Sequence, residues 1–411
     1  MKKILFLLPY YFPTPDPNGI CIQKIIEALD KNRYKVFCIC YEDGLTVEYT
    51  NASIYKISKG FLYYLHSNLL RHKSKLIRSL ITLINILIKI KNIPFLLTWP
   101  MNDPIFTKRV YDLTKKLHKI NNIDIIIAVH MPFSSLMVGH KIKNKFKEIE
   151  YIAYFLDSLS GGLEFKYKLI PKKFILNKKL KWEKKLLYNA DKIVCMESSK
   201  NHHIKYNKDS IFFNKIQYLD LPMLSKSKKE YSGTNKYLPE NTINIVYLGS
   251  AYYPTRNIPY FLSIFNLFSE NNIYFTFIGN TNCEHLFNEY KNTKYFPTIP
   301  YIQVNDVCNK ADIFLNLSVK STTLVASKLI EYISYGKPII SAYSIDNDAC
   351  KNYLEKYPLS FMYDERNTNI ELQAQNLYIF IKNAYGKKIS YNILSEIYKN
   401  NKPETFISRI L

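Results

Sequence analysis

Arginine is scarce in this chain of 411 residues. Lysine and arginine together number 57, but only seven of these residues are arginine and the other 50 are lysine. The formal net charge of +23 suggests an acidic partner. Arginine recognises phosphates and bases in a bidentate geometry, so its scarcity argues against nucleic acid as that partner. Diffuse lysine charge suits an anionic membrane surface better.

Several motifs of hydrolytic and P-loop chemistry are also absent. The sequence contains no HExxH, GxSxG or Walker A pattern and no paired cluster of cysteine and histidine. Metallohydrolases, serine hydrolases and P-loop enzymes therefore have no support, and we expect no metal site.

The cysteines lack the spacing of a disulfide framework or a zinc site. They form no CxxC pair, their number is odd, and most of them lie in apolar runs. We therefore predict buried free thiols and a reducing compartment, the cytoplasm. The cysteines are Cys21, Cys38, Cys40, Cys195, Cys283, Cys308 and Cys350.

No segment reaches the ~18 uninterrupted apolar residues of a membrane-spanning helix. Residues 2–8 resemble a signal peptide, but Pro9 ends the apolar run and no small-residue cleavage site follows, so we predict a buried first strand. Residues 61–97 are rich in leucine, isoleucine, lysine and arginine. Two interpretations stay open for them. They form either a helix lying on an anionic membrane, at the inner face of the plasma membrane, or an ordinary buried helix.

Strand-like and helix-like segments alternate along the chain, which predicts α/β domains with parallel sheets. Predicted strands lie at 4–9, 35–41, 123–130, 151–157, 192–197, 243–249, 273–279, 311–317, 338–342 and 360–363. Residues 225–235 are polar and rich in turn formers. We therefore predict two Rossmann-like, doubly wound domains that face each other across a cleft. Their limits are 1–224 and 243–385, with a linker over 225–242 and a helical segment over 386–411 that packs back on the N-terminal domain.

The segment 327–340 is the most informative part of the chain. Ser327 is a good N-cap residue, Gly336 fits the left-handed position after a helix, and Pro338 prevents the helix from continuing. The backbone N–H groups at 326–328 would form an anion site. Glu331 then has two open interpretations: it holds a ribose diol at the strand ends, or it only complements the helix dipole.

Other polar residues follow predicted strands, where ligands bind in open α/β sheets. Gly19 opens a helix after the first strand, and Arg256 precedes a helix after Gly249. Either could approach a phosphate, and each also has a plain turn or helix-start interpretation. His130 and Asp157 end two further strands, where they either contact a sugar or serve the local structure.

Together these segments resemble the GT-B glycosyltransferases of family GT4, which are retaining enzymes that build bacterial surface polysaccharides. The resemblance covers nearly the whole chain, and its most specific part is residues 328–338. The other matching segments are 3–13 with Gly19, His130, Glu183 with 190–192, Gly249 with 256–257, and 311–313.

The resemblance implies transfer of a hexose-like sugar from a nucleotide diphosphate sugar, which serves as co-substrate without any cofactor or metal. The acceptor would be a saccharide or a lipid-linked saccharide. Glu331 matches the second acid of an E-x7-E motif, whose role is to bind the donor ribose. The implied catalytic residues are His130, Glu331 and Asp157, and the implied donor-binding residues are Gly19, Gly249, Ser250, Arg256, Thr323, Ser327, Lys328 and Glu331.

Two positions depart from the family pattern. Thr323 stands where the first acid of E-x7-E is expected, and Ser250 stands where a basic residue is expected. Lys328 offers partial compensation. These departures keep a second hypothesis open, a non-catalytic module that binds a sugar nucleotide or a glycan. A third hypothesis is a protein that binds membranes or nucleic acid through its charge, which predicts steep salt dependence.

Overall fold

The protein forms two compact units. The first comprises Met1–Pro222 together with Pro403–Leu411, and the second comprises Met223–Lys402. No helix in the described part of the chain is both long enough and apolar enough to cross a membrane. The computed structural model describes residues 1–11, 16–42, 51–58, 60–69, 75–93, 103–161, 171–226, 236–267 and 272–411.

Strands and helices alternate in both units. The strands are β1 (Lys2–Leu7), β2 (Tyr34–Tyr41), β3 (Ala52–Ile57), β4 (Ile125–His130), β5 (Glu150–Phe155), β6 (Lys192–Met196), β7 (Ile216–Leu219), β8 (Ile243–Leu248), β9 (Ile273–Ile278), β10 (Thr293–Phe296), β11 (Ile313–Leu317), β12 (Ile339–Tyr343) and β13 (Ser360–Asp364). The helices are α1 (Pro17–Ala28), α2 (Phe61–Leu69), α3 (Lys75–Asn92), α4 (Pro104–Asn121), α5 (Phe133–Lys145), α6 (Lys172–Leu187), α7 (Lys200–Asn207), α8 (Ile258–Phe265), α9 (Tyr301–Lys310), α10 (Ser327–Tyr335), α11 (Ala349–Leu354), α12 (Ile370–Ala384), α13 (Tyr391–Ile397) and α14 (Pro403–Ile410).

In the described part of the first unit, seven parallel strands form a sheet in the order β3-β2-β1-β4-β5-β6-β7. Every residue of β4 is buried, as expected for a central strand of a parallel sheet that is covered on both faces. The chain reverses its direction across the sheet between β1 and β4. The carboxyl ends of these strands therefore flank a topological switch point, where open α/β sheets bind ligands.

The described part of the second unit contains six parallel strands in the order β10-β9-β8-β11-β12-β13. Its core is rich in aromatic rings, such as the edge-to-face pair of Phe261 and Phe275, whose centroids are 4.8 Å apart. The switch point lies between β8 and β11. The two sheets confirm the predicted architecture of two doubly wound α/β domains.

The C-terminal helices divide between the units. In the second unit, α13 packs on α10, and the N–H of Ile389 donates to the carbonyl of Gly336 at 2.9 Å. In the first unit, α14 packs on α1, and the ring of Phe406 lies 4.9 Å from that of Tyr154. The segment predicted as one helical extension over 386–411 thus contributes to both units.

Two local predictions about buried segments are confirmed. The apolar segment at the N-terminus forms the buried strand β1, whose last four residues have no exposed side chain. All seven cysteines are free and buried. Burial raises the pKa of the Cys38 and Cys195 thiols well above the ordinary value, which keeps them protonated and unreactive.

Candidate functional site

The switch point of the second unit is built around the end of β8. Strand β8 pairs with β11 only through Ile245 and Val246, so the two strands separate before Leu248. The phenol of Tyr332 on α10 occupies this position: it accepts the N–H of Leu248 at 2.9 Å and donates to the Leu248 carbonyl at 3.4 Å. The Tyr332 ring also stacks on Phe314 with a centroid distance of 4.4 Å. These contacts fix α10 against the strand ends.

Gly249 follows β8 with φ +121°, a backbone conformation that favours glycine. The side chain of Lys328 lies directly over it, because a Cβ at position 249 would be 2.8 Å from Lys328 Cε. The first turn of α10 and the first turn after β8 are therefore in contact. This contact brings together three of the predicted donor-binding positions, namely Gly249, Ser327 and Lys328.

The N-terminus of α10 differs from the prediction in one respect. Ser327 was expected to be the N-cap, but Ala326 holds that position, and the cap has no side-chain hydrogen bond. The N-cap prediction for Ser327 is therefore wrong, because Ser327 is already the first helical residue. The predicted helix end is confirmed, since Gly336 follows α10 with φ +71°.

Glu331 lies one turn after Lys328 and is 8% exposed. Among the described residues, its carboxylate forms no hydrogen bond and no ion pair. Its closest electrostatic neighbours include Cys308, whose pKa is raised first by burial and further by the Glu331 carboxylate. A carboxylate that no described residue binds, at a strand-end site, is available to a ligand.

Arg256 connects the ends of β8 and β11. Its Nε donates to the carbonyl of Leu317 at 2.9 Å, and its Nη1 donates to the carbonyl of Ser250 at 3.2 Å. The next residue, Asn257, caps α8 by accepting the N–H of Tyr260. Arg256 therefore precedes a helix, as predicted, and its guanidinium lies beside the Gly249 turn. The Ser250 side chain is exposed.

Thr323 occupies the loop between β11 and α10. The Ser321 hydroxyl organises this loop by accepting the N–H groups of Thr323 at 3.2 Å and Leu324 at 3.0 Å. A threonine hydroxyl carries no charge, so Glu331 is the carboxylate that α10 and the preceding 318–326 loop supply.

In the first unit, Gly19 lies inside the first turn of α1 rather than before it. The helix begins at Pro17, and the Asp16 side chain caps it by accepting the N–H of Gly19 at 2.9 Å. This bond occupies the amide that was expected to approach a phosphate. A Cβ at position 19 would collide with the carbonyl oxygen of Tyr10, so this glycine permits a close approach of two backbone segments.

His130 ends β4 and is 5% exposed. Its ring lies 5.5 Å from that of Phe155, and its buried Nδ1 has no hydrogen-bond partner among the described residues. Burial lowers the pKa of His130 to about 3, and the positive charge of Lys179 adds to the shift. The imidazole is therefore neutral at physiological pH, when it can exchange hydrogen bonds but carries no charge.

Asp157 follows β5, two residues beyond its end. Burial raises the pKa of its carboxyl, and the nearby carboxylate of Asp16 raises it further. Among the described residues, Asp157 forms no hydrogen bond and no ion pair. Asp157 and the N-cap of α1 are thus close together, and the Asn18 side chain connects α1 to the Met131 carbonyl at 3.2 Å.

A buried polar cluster in the first unit was not predicted. Glu183 of α6 is 1% exposed and accepts hydrogen bonds from Ser160 Oγ at 2.8 Å and Asn207 Nδ2 at 2.9 Å. The Ser160 hydroxyl also lies 2.8 Å from His202 Nε2. Lys179, which is 6% exposed, lies one turn before Glu183. Lys179 and Glu183 lie on the same face of α6 as the apolar residues Ile175, Leu186 and Leu187. Two charged residues on an otherwise apolar helix face are the feature of the sequence that could have indicated this cluster.

No protein-family model matches the sequence, and no curated protein matches it significantly. Solved structures match over the whole chain. Sucrose-phosphate synthase from Thermosynechococcus elongatus is 12% identical with a TM-score of 0.63, covering 100% of this chain and 97% of that chain. HepE from Anabaena, in complex with UDP and glucose, is 12% identical with a TM-score of 0.60 and full coverage of both chains, 100% and 100%.

A structure described as a putative UDP-N-acetylglucosamine 2-epimerase from Listeria monocytogenes also matches, at 11% identity and a TM-score of 0.56, covering 99% of this chain and 95% of that chain. At these identities the similarity concerns the fold. The glycosyltransferases among these structures have the GT-B fold, and the two doubly wound sheets of this protein follow the same plan. This chain therefore has the GT-B fold.

Proposed function

We propose that the protein is a glycosyltransferase that moves a sugar from a nucleotide diphosphate sugar to a saccharide or a lipid-linked saccharide in cell-surface polysaccharide synthesis. The observation that carries this proposal is the carboxylate of Glu331, which no described residue binds and which lies one turn after the Lys328 side chain that covers Gly249. The HepE structures, which contain UDP, glucose or UDP-glucose, support a nucleotide-sugar donor for the shared fold.

In this proposal, Glu331 accepts hydrogen bonds from the ribose hydroxyls of the donor. Hydrogen bonds to an ionised acceptor are stronger than those between neutral groups. A diol would satisfy the carboxylate that the free protein leaves unpaired among its described residues.

The leaving diphosphate would be stabilised by Arg256, Lys328 and the N-terminus of α10. Arg256 is held in place by two carbonyls, and Lys328 is held over Gly249, so neither cation needs much reorganisation when charge develops. The uncapped N–H groups at the start of α10 add a partial positive charge. The proposal assigns this stabilisation to the protein's own cations, without a metal.

The neutral His130 would contact the transferred sugar, and Asp157 would orient the acceptor. His130 is buried and its Nδ1 has no described partner, and Asp157 is half-buried with no described hydrogen-bond partner. Retention of the anomeric configuration is part of the proposal and follows the resemblance of the sequence to family GT4.

A second function, binding of a sugar nucleotide or a glycan without catalysis, is favoured by Thr323 and Ser250. A carboxylate and a cation expected at these positions are missing. Incubation with a panel of nucleotide sugars, with and without lipid-linked saccharides, separates the two functions. Release of the nucleoside diphosphate with a glycosylated product supports transfer. Binding without release supports the module, and a 2-epimerised nucleotide sugar would overturn both.

The role of Glu331 can be tested with a matched pair of ligands. We expect E331Q to weaken the binding of UDP at least tenfold, which corresponds to about 1.4 kcal/mol, and to leave the binding of 2′,3′-dideoxy-UDP nearly unchanged. Calorimetric titration measures both affinities, and E355Q changes an exposed glutamate of the same unit as the control. Equal losses for the two ligands would show that Glu331 does not bind the ribose.

A further inference from the structure

The sequence between Glu48 and Asp103 contains no acidic residue. Residues 49–102 form this acid-free segment, which carries eight basic residues, although the whole chain has 34 acidic residues among 411. The bases are Lys56, Lys59, Arg71, Lys73, Lys75, Arg78, Lys89 and Lys91. With eight basic residues and no acidic residue, the segment has a formal net charge of +8.

Helix α3 lies inside the acid-free segment and has two apolar faces. The inner face contains Ile84, which is 2% exposed, together with the partly buried Ile77, Ile81 and Ile88 at helical spacing. The outer face carries large aliphatic side chains that are 42–57% exposed. These are Leu80, Leu83, Ile86, Leu87, Ile90 and, just beyond the helix, Ile93.

A buried helix explains the inner face of α3 and leaves the outer face unexplained. Exposed aliphatic residues are normal when they are scattered, but a continuous stripe on one helix marks an interaction surface. One face of α3 therefore packs on the protein, and the opposite face is exposed.

Helix α2 packs against α3 and extends this surface. The Asn92 side chain donates to the Tyr63 hydroxyl at 2.9 Å, and Lys91 Nζ lies 6.0 Å from the centre of the Tyr63 ring. On α2, Phe61 is 73% exposed and Tyr64 is 54% exposed. Lys89 and Lys91 are exposed at the end of α3. Aliphatic, aromatic and cationic side chains are therefore presented together by the hairpin of α2 and α3.

We propose that the α2–α3 hairpin docks the protein on an anionic lipid bilayer, with α3 parallel to the surface. The aliphatic stripe would enter the boundary of the acyl chains, the aromatic rings would lie at the headgroup level, and the lysines would contact anionic headgroups. No described helix spans a membrane, so the attachment is peripheral.

The charge of the segment favours a bilayer over other occupants. A second copy of the chain docked through the same surface would place two acid-free segments against each other, and like charges would oppose that contact. Nucleic acid would neutralise the charge but would leave the aliphatic stripe in water. An anionic bilayer satisfies both the charge and the apolar area.

Vesicle binding tests this proposal in the full-length protein. Vesicles of phosphatidylcholine with and without phosphatidylglycerol are sedimented with the protein at low and physiological salt. We expect binding only to the vesicles that contain phosphatidylglycerol. Loss of two surface lysines in K89Q/K91Q should weaken binding roughly thirty-fold, and loss of two exposed aliphatic side chains in L83S/I90S should weaken it roughly tenfold or more.

Two matched variants in the second unit control for general charge and hydrophobicity. K387Q/K388Q removes two exposed lysines, and L372S/I379S removes two exposed aliphatic residues of α12. Both should bind vesicles like the wild type. Equal losses in the control and test variants would overturn the proposal, as would binding that is independent of phosphatidylglycerol. UDP affinity should be unchanged in all four variants, so the result does not depend on the proposed enzymatic activity.

The same variants test self-association. Light scattering of the wild type should show a monomer, or an oligomer that L83S/I90S does not dissociate. Conversion of an oligomer to a monomer by L83S/I90S would assign the stripe to a second copy of the chain and overturn the proposal. Circular dichroism and thermal unfolding of each variant confirm that the fold is retained.

Discussion

The side chain of Lys328 lies across Gly249. A Cβ at position 249 would be 2.8 Å from Lys328 Cε and 3.2 Å from its Cδ, so the absence of a side chain at one residue determines where the other can lie. The ammonium group of Lys328 therefore lies near the end of β8, with Nζ 4.0 Å from the position of a Cβ at 249. The position of this cation is a property of the backbone turn as much as of the lysine itself.

Replacing Gly249 with alanine should show whether the position of Lys328 affects ligand binding, apart from the backbone strain that the substitution introduces. G249A and G386A both place a Cβ on a backbone with positive φ, and each should destabilise the protein by about 1–2 kcal/mol. Gly386 has open space around it, whereas a methyl group at 249 displaces Lys328. We therefore expect weaker UDP binding in G249A alone, measured by titration alongside urea unfolding. Unchanged UDP affinity in G249A would remove Lys328 from the donor site.

Replacing Arg256 with lysine should weaken phosphate binding more than folding. Among the described residues, Nε and Nη1 of Arg256 donate to two carbonyls and Nη2 donates to none. One ammonium group cannot hold both carbonyls and a phosphate in the same geometry. We expect R256K to lose roughly tenfold or more in affinity for UDP, a cost of about 1.4 kcal/mol, with little change for uridine. R366K alters an exposed ion pair of the same unit and should bind both ligands normally.

Removal of Glu183 should be among the most destabilising single changes in the first unit. Its carboxylate is buried, accepts two hydrogen bonds and lies near Lys179, so truncation to alanine removes both bonds and the neighbouring negative charge. We expect E183A to cost about 3–5 kcal/mol in the free energy of unfolding. The double variant K179M/E183A removes both charges and should recover part of this loss, as measured by urea unfolding. An additive double variant would show that the two charges do not interact.

The three strands that the sequence analysis missed are all edge strands, although β13, the other edge of the second sheet, was predicted. β3 and β7 border the first sheet and β10 borders the second, and each of them is only partly buried. An edge strand has a neighbour on one side only, so its residues need not form the continuous apolar run that identifies a central parallel strand. Composition alone therefore gives a weak signal at these positions.

In the candidate site, too, some features could be predicted from the sequence and others could not. The positions of His130, Arg256 and Glu331 at strand ends and on the following helix were predictable, because parallel strands end at a common edge of the sheet. Contacts that depend on exact backbone geometry could not be predicted from the sequence. The cap of α10 falls at Ala326 rather than Ser327, and the amide of Gly19 bonds to Asp16. The cluster around Glu183 needs residues from three separate segments, which no local pattern connects.

The buried imidazole of His130 should make the stability of the protein depend on pH. Burial lowers its folded-state pKa to about 3, whereas the unfolded chain titrates near the ordinary value of about 6.5. As the pH falls below the pKa of this histidine in the unfolded chain, the unfolded state binds a proton that the folded state does not bind. The free energy of unfolding should therefore decrease on acidification, by about 2 kcal/mol from this residue between roughly pH 7 and pH 5.

The variant H130N isolates this contribution, because asparagine keeps a polar side chain but does not titrate. H130N should be less stable than the wild type at neutral pH, since the asparagine leaves part of the imidazole's volume empty. The difference in the free energy of unfolding between the two proteins should narrow as the pH falls, because only the wild type has a histidine that is protonated when unfolded and neutral when folded. Urea unfolding across the pH range measures this difference. H285N replaces an exposed histidine and should run parallel to the wild type. A wild type that also runs parallel to H130N would mean that His130 has the same pKa in the folded and unfolded protein, and the lowering of that pKa by burial would then be wrong.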